Sequence, residues 1–368
     1  MENEERGYFR SRRERLRARL AGAGFDGVLI SRPEDRRYFS GFTGSSGLLL
    51  LTREEAVLFT DFRYLEQAAR ECPEVRVVDH ERKPEEAVVR AVCSFRLARI
   101  AFQGDVMSVR THARLLAAAR EMCPDVHWED AGETLGALRA RKDPVELAKI
   151  RRAVEIAEAA FREVLPVIRP GMTERQVAWA LERAMREGGA DAVAFPPIVV
   201  SGTRGSLPHG MPTDKPLACG ELVTLDFGAV YDGYVSDLTR TVALCDPPEA
   251  LLRIYETVLA AQLRAIARVR AGVSTGTIDA AARETIDRAG YGEYFGHATG
   301  HGIGLAVHEE PTIGPGRDIP LEAGMVITIE PGIYVPGLGG VRIEDDVLVH
   351  EAGAVLLSTL PKELLRLR

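Results

Sequence analysis

Nowhere does the sequence hold an apolar run approaching the roughly 18 residues that a membrane span needs. Its start, from Met1 to Leu20, is dense in charge where a secretory signal would be apolar. No anchor or export signal is read there, and a cytoplasmic location is expected. Cysteine is scarce: Cys72, Cys93, Cys123, Cys219 and Cys245 are widely spaced and form no CxxC pair, which excludes a zinc knuckle and a redox couple. All five are expected to be reduced, partly buried thiols. Positive charge is not in excess either, since the net charge is −7. The one basic stretch, Arg6 to Arg19, alternates with Leu and Ala as an amphipathic helix with a solvated face would, so no nucleic-acid partner is expected.

What is present is an ordinary globular composition, 46% hydrophobic and 27% charged, over 368 residues, more than one hydrophobic core usually spans. Two domains are expected, 1–135 and 136–368. In the first, short apolar runs at Gly27–Ile30, Gly47–Leu51 and Ala56–Thr60 predict strands, and Arg110–Glu121 predicts a helix, an α/β pattern with a mixed sheet. Asp143-Pro144 is a good helix start, and residues 144 to 165 keep an apolar helical period. A second helix opens at Gly171-Met-Thr173-Glu174. Strands are predicted at Ala194–Val200, Leu222–Phe227 and Thr239–Leu244, then helices at Pro248–Val269 and Ile278–Ala289, then strands at Val326–Glu330 and Val341–Val349. Two helix, helix, strand halves suggest an α+β internal duplication, echoed in Arg169-Pro-Gly-Met-Thr173 and Arg270-Ala-Gly-Val-Ser274.

Several of these strands end in metal-ligand residue types. Leu222-Val-Thr-Leu-Asp226 ends in a carboxylate, and the next strand starts at Asp237, at a spacing that lets a hairpin bring the two together. Val326-Ile-Thr-Ile-Glu330 runs an apolar strand into a Glu, Gly340-Val-Arg-Ile-Glu344 runs a second strand into another, and His297, His301 and His308 sit among glycines that let backbone crowd a site. A lone buried carboxylate is costly unless it is paired or bound to a cation, so four of them with an imidazole point to a metal centre. The set is hard and oxygen-rich, suited to Mn²⁺, Co²⁺ or Fe²⁺, with Zn²⁺ tolerated. Carboxylates that bridge imply two divalent ions and hydrolytic chemistry.

These residues, with Gly41-Phe-Thr-Gly44 and Thr60-Asp-Phe-Arg-Tyr64 in the first domain, resemble the pita-bread metallopeptidases over nearly the whole chain, specifically the branch of Xaa-Pro aminopeptidase and Xaa-Pro dipeptidase (prolidase). The resemblance implies a creatinase-type mixed-sheet amino-terminal domain and a duplicated α+β catalytic domain with a curved antiparallel sheet. It implies that Asp226, Asp237, His301, Glu330 and Glu344 hold two ions, with Asp237 and Glu344 bridging, and that Glu330 is also the proton acceptor. It implies that His209 and His308 act on substrate, that His297 lines the proline pocket, and that Tyr334 and Arg342 orient a ligand carboxylate. It further implies a homodimer acting on peptides with proline in second position. In several short prolidases an arginine directly follows the His-Glu-x-Pro element, where this sequence has Thr312. That departure tilts the expectation to an aminopeptidase, with the dipeptidase as the alternative. A metal-free creatinase-like C–N hydrolase and a non-catalytic binding module are disfavoured because all five ligands are present. Methionine aminopeptidase would not need the first 130 residues. His80, His112, His127 and His350 are read as structural.

Overall fold

A computed structural model describes residues 2–130 and 135–367. The chain divides into two compact units, Met1–Arg139 and Ala140–Arg368; residues 131–134, just before the expected boundary, lie outside the described residues.

The first unit runs α1 (Glu2–Gly22), β1 (Gly27–Ile30), α2 (Pro33–Ser40), β2 (Leu48–Thr52), β3 (Ala56–Thr60), α3 (Leu65–Glu71), β4 (Arg76–Asp79), α4 (Pro84–Ser94), β5 (Arg99–Phe102), α5 (Val109–Met122), β6 (His127–Asp130) and the start of α6 (Gly136–Ala140). Its six-stranded sheet has the order β4-β3-β2-β1-β5-β6. β2 is antiparallel to β1 and β3, while the pairs β3/β4, β1/β5 and β5/β6 are parallel, so the sheet is mixed. Leu29, Leu50, Val57, Phe59, Val88 and Ile100 are among the residues that fill its core.

The basic stretch in α1 departs from the solvated face expected of it. Arg12 and Arg13 are buried, and they donate to the carbonyls of Tyr38 and Phe39 at 3.2 and 3.0 Å. Those carbonyls belong to the last turn of α2, which has no intrahelical donors left for them, and cations are favoured there. Amphipathic spacing alone could not show that a neighbouring helix end was waiting.

The second unit continues with α7 (Pro144–Val164), α8 (Glu174–Glu187), β7 (Ala192–Val193), β8 (Ile198–Ser201), β9 (Leu222–Phe227), β10 (Ala229–Tyr231), β11 (Tyr234–Val235) and β12 (Leu238–Leu244). It then repeats the plan with α9 (Glu249–Ile266), α10 (Thr275–Arg288), β13 (Gly300–Gly302), β14 (Glu309–Ile313), β15 (Val326–Ile329), β16 (Gly332–Val335), β17 (Gly339–Arg342), β18 (Asp345–Val349), β19 (Ala354–Leu356) and β20 (Arg366–Leu367). In the first half β8, β9 and β12 form an antiparallel ladder, with β20 added in parallel at its edge. In the second, the order β14-β13-β15-β18-β19 is antiparallel throughout. Each half has its own core, one centred on α7, α8 and β9, the other on α9, α10 and β15.

The duplication read from the sequence has a structural counterpart. Gly171 and Gly272 take positive φ (89° and 81°) in the turn before α8 and α10. Their N–H groups donate to Leu217 and Leu321 at 2.9 and 2.8 Å, and isolated bridges join Thr173 to Pro216 and Ser274 to Pro320. Thr173 and Ser274 cap the two helices through their hydroxyls, which accept from the third N–H beyond.

α7 forms because Asp143 and Glu146 make a reciprocal capping box around Pro144, and it ends where Pro166 cannot continue it. Its buried face presents Phe161, which stacks on Phe227 of β9 with ring centroids 5.6 Å apart. Phe161→Ala is expected to cost about 3–5 kcal/mol, read as a lower urea midpoint at unchanged slope, because a fully buried aromatic leaves a cavity.

Three expectations are corrected. The predicted strand Ala194–Val200 starts only at Ile198, because Pro196-Pro197 supplies no N–H to a ladder. Val341–Val349 is two strands, β17 and β18, broken where the Glu344 N–H leaves the ladder to donate to Thr239 O at 3.1 Å. Only Cys72 is free and buried, with burial pushing its thiol up to about 12. Cys93 pairs with Cys123, and Cys219 with Cys245. Cys219 precedes β9 and Cys245 follows β12, and the register Leu222↔Ala243 brings those flanking positions to a Cα separation of 5.1 Å. Tertiary pairing, invisible in a spacing of 26 residues, decides the partner.

No described helix is long and apolar enough to cross a membrane.

Candidate metal centre

β9 is buried along its whole length, so Asp226 near its end is buried too. After the tight β10–β11 hairpin the chain returns at Asp237 and enters β12, where Thr239 pairs with Asp226. A side chain at Gly228 would put its Cβ 2.0 Å from Ser236 O, so the close return needs glycine there. In the second half the last ladder pair of β15 and β18 is Ile329↔Asp345, and Glu330 and Glu344 therefore face each other one step beyond it. β13 brings His301 alongside, its N–H donating to Thr328 Oγ1 at 3.1 Å.

The ligand atoms of Asp237, His301 and Glu344 lie within 4.8 Å of one another. His301 Nε2 is 3.7 Å from Asp237 Oδ2 and 3.3 Å from Glu330 Oε1. On the other side of the ring Nδ1 lies 3.0 Å from Gly302 O, which can only accept, so Nδ1 carries the proton and Nε2 faces the carboxylates. Asp226 is set apart by its ion pair, Oδ2 accepting from Arg342 Nη2 at 2.5 Å.

Electrostatics and unsatisfied atoms both fit a divalent cation at this cluster. Burial, then the charges of Glu344, Asp226 and Glu330, push Asp237 well above the usual carboxylate range. Burial, then Glu330 and Asp226, does the same to Glu344, and burial raises Asp226 against the opposing charge of Arg342. Burial would raise Glu330 as well, but its hydrogen bond and ion pair with His301 override this and hold it low. The same bond raises His301 against its own burial. Asp226 Oδ1 and Glu344 Oε1 are buried without a hydrogen-bond partner among the described residues. An unpartnered buried oxygen costs about 1–3 kcal/mol, more when charged, and divalent cations held by these carboxylates would remove that cost and offset the repulsion.

Arg342 ties the centre to its surroundings. Nη1 donates to Tyr334 Oη at 2.9 Å and to Pro208 O at 3.2 Å, and Nε donates to Thr239 Oγ1 at 3.1 Å. Tyr334 Oη is 2.9 Å from His297 Nε2, and burial pushes this hydroxyl up to about 12, so it stays a neutral donor. His297 is half-buried, and that burial lowers its pKa. His308 is exposed, its ring centroid 4.4 Å from that of His301; partial burial and then the His301 charge lower its pKa. The next residue, Glu309, is buried and paired with Lys142 at 3.1 Å, which fixes the chain as it leaves His308. His209 is exposed on the loop after β8, within electrostatic reach of Asp226, His297 and His308. His80, His112 and His127 belong to the first unit, where His112 stacks on Phe102, and His350 accepts from Ala352 N–H in a turn.

The sequence reading missed the groups that hold the ligands. Thr239 Oγ1 donates to Glu344 Oε2 at 2.6 Å, Thr328 Oγ1 to Glu330 Oε1 at 3.3 Å, and Asp346 Oδ2 accepts the Asp237 N–H at 3.0 Å. Behind Glu344 the buried Arg240 donates to Asp345 Oδ1 at 2.7 Å and to the Glu344 carbonyl at 2.5 Å. A signal was present: Asp237, Thr239 and Thr241, and likewise Thr328 and Glu330, recur at every second position along their strands and so share a face.

The model of the metallopeptidase family M24 matches residues 148–351, and that of the creatinase/prolidase N-terminal domain matches residues 12–141. The Xaa-Pro dipeptidase of Pyrococcus furiosus is 37% identical over 344 residues, 92% of this chain and 95% of that protein. The solved structure of an Xaa-Pro dipeptidase from Bacillus anthracis superposes with TM-score 0.93 at 41% identity, covering 98% of this chain and 100% of that one. An X-Pro aminopeptidase from Thermotoga maritima gives 0.86 at 39% identity, covering 93% and 98%.

Proposed function

Since the chain belongs to the metallopeptidase family M24, with an amino-terminal domain of creatinase/prolidase type, we propose that it is an Xaa-Pro dipeptidase, a prolidase working with two divalent ions, manganese by preference. What carries the reading is the crowded carboxylate and imidazole cluster, with two buried oxygens lacking partners, inside a chain whose named relatives are mostly Xaa-Pro dipeptidases. The tilt to an aminopeptidase drawn from Thr312 gives way to those relatives; the aminopeptidase stays as a second reading because of Thr312 and the Thermotoga structure.

In this reading Asp226, Asp237, His301, Glu330 and Glu344 hold the ions. Divalent ions there supply Lewis acidity and make a water acidic enough to attack a carbonyl near neutral pH. The remaining work falls to the chain. Glu330 accepts the proton of the attacking water and passes it to the leaving nitrogen. His308 and His209, both exposed at the rim, donate hydrogen bonds to the substrate carbonyl and carboxylate. His297, held by Tyr334, lines the proline side; proline lacks an N–H, so the slot needs shape rather than an acceptor. We further propose a homodimer.

The test is hydrolysis of Ala-Pro beside Ala-Pro-Ala by manganese-loaded protein with a chelated control. The dipeptide is expected to have the higher kcat/KM by about tenfold or more, equivalent to ~1.4 kcal/mol of transition-state discrimination. A tripeptide cut with the dipeptide left intact makes the enzyme an aminopeptidase. Hydrolysis of neither removes the Xaa-Pro assignment.

A further inference from the structure

The loop that carries His209 runs from Ser201 to Thr213, and both of its ends close on one carboxylate. Glu174, the first residue of α8, has no exposed surface. Its Oε1 accepts from Ser201 N and Ser201 Oγ at 2.9 and 3.1 Å, and its Oε2 from Thr213 N and Thr213 Oγ1 at 3.1 and 2.8 Å. Arg204 Nε lies between them, 3.3 and 3.1 Å from the two oxygens, while its Nη2 reaches along the loop to Met211 O at 2.7 Å. From the inner side, Arg342 Nη1 donates to Pro208 O, the residue before His209.

The duplication provides an internal comparison. Glu174 N–H donates to Lys215 O, and Thr275 N–H at the same place in the second half donates to Ile319 O. Both side chains are fully buried, yet the second half makes the junction with a neutral threonine that accepts from Ile319 N–H. The junction as such therefore does not call for a charge. A buried carboxylate is tolerated only when donors surround it, and here the donors are those of the His209 loop.

We propose that Glu174 is a positioning residue that acts through His209, clamping the loop so that the imidazole is held over the metal centre. The proposal rests on the role given to His209 above. Glutamine keeps the size of the side chain but presents an NH₂ to donors, so Glu174→Gln frees one end of the clamp.

The experiment is a double-mutant cycle on Ala-Pro hydrolysis with Glu174→Gln and His209→Ala, alongside metal content and hydrogen exchange over residues 201–213. Glu174→Gln is expected to lower kcat about tenfold with KM changed less than about threefold, and to have less than about a twofold further effect once His209 is alanine. Metal content should be unchanged and exchange faster across the loop. An equal loss in both backgrounds, no loss in either, or loss of bound metal overturns the proposal. Should Glu174→Gln fail to fold, Arg204→Met, which removes one donor at the half-exposed rim, must show the same dependence on His209. If wild-type protein cuts neither peptide, the function reading fails, and unchanged exchange in Glu174→Gln would separately refute the clamp.

Discussion

Asp237→Ala is expected to lower kcat/KM by at least about a thousandfold, roughly 4 kcal/mol of transition-state stabilisation. The reason is its place: the ligand atoms of Asp237, His301 and Glu344 lie within 4.8 Å of one another, and Glu344 and His301 cannot close that group without it. Loss of fold is not the expected cause. In metal-free protein Asp237 is a buried acid pressed by Glu344, Asp226 and Glu330, so its removal relieves repulsion that offsets the lost contacts. The metal-free variant should therefore unfold at a temperature close to that of metal-free wild type, while manganese raises its Tm much less. Calorimetry with and without manganese, beside the peptide assay, separates the two causes. Full activity in this variant would overturn the assignment of the site.

Stripping the metal is expected to reverse the pH dependence of stability. Asp226, Asp237 and Glu344 have folded pKa values raised first by burial and then by neighbouring carboxylates: Glu330 acts on Asp226 against Arg342, Glu344, Asp226 and Glu330 act on Asp237, and Glu330 and Asp226 act on Glu344. An acid held above its unfolded value of about 4 binds its proton more tightly in the folded state, so its contribution is complete below that value and is lost as pH rises through the raised one. His301, also raised, gives up its contribution in the same direction. Glu330 has the opposite sign, because His301 holds it low and its contribution is lost only as pH falls. Three carboxyls and an imidazole outweigh one carboxyl, so chelated protein should lose Tm as pH rises from about 4, the ordinary value of the carboxyls, past about 6.5, the ordinary value of His301. A divalent ion favours the ionised forms and stabilises by RT ln(1 + [M]/Kd), about 2.7 kcal/mol at a hundred times Kd, and the Tm gain from manganese should grow with pH. A chelated protein whose Tm climbs steadily over that range would show that the carboxylates do not crowd as described.

Much of the centre was legible before any fold was known. Asp226 and Glu330 each come at the end of an apolar run and Glu344 follows Val341-Arg-Ile343, and a charged group at such a place is conspicuous because burial there is costly without a partner. β1, β3 and β9 coincide with the predicted runs, since a continuous apolar stretch bounded by turns leaves few alternatives. The threonines that hold the ligands were less visible. Thr239 and Thr328 are ordinary strand formers, and their role exists only because Glu344 and Glu330 come to lie within hydrogen-bond reach. Glu174 looked like a residue of a helix start, and nothing local indicates that Ser201, Arg204 and Thr213 converge on it.

The sequence by itself determined the residue types of the centre, the two-part plan and the repeated helix, helix, strand order. All of these follow from local periodicity and from the cost of burying charge. Tertiary structure alone decided which carboxylates face one another, which arginines of α1 cap α2, which cysteines pair, and which buried acid holds the His209 loop. Those are contacts between residues far apart in the chain, and they are set by ladder register and helix docking, for which no short stretch of sequence carries a signal.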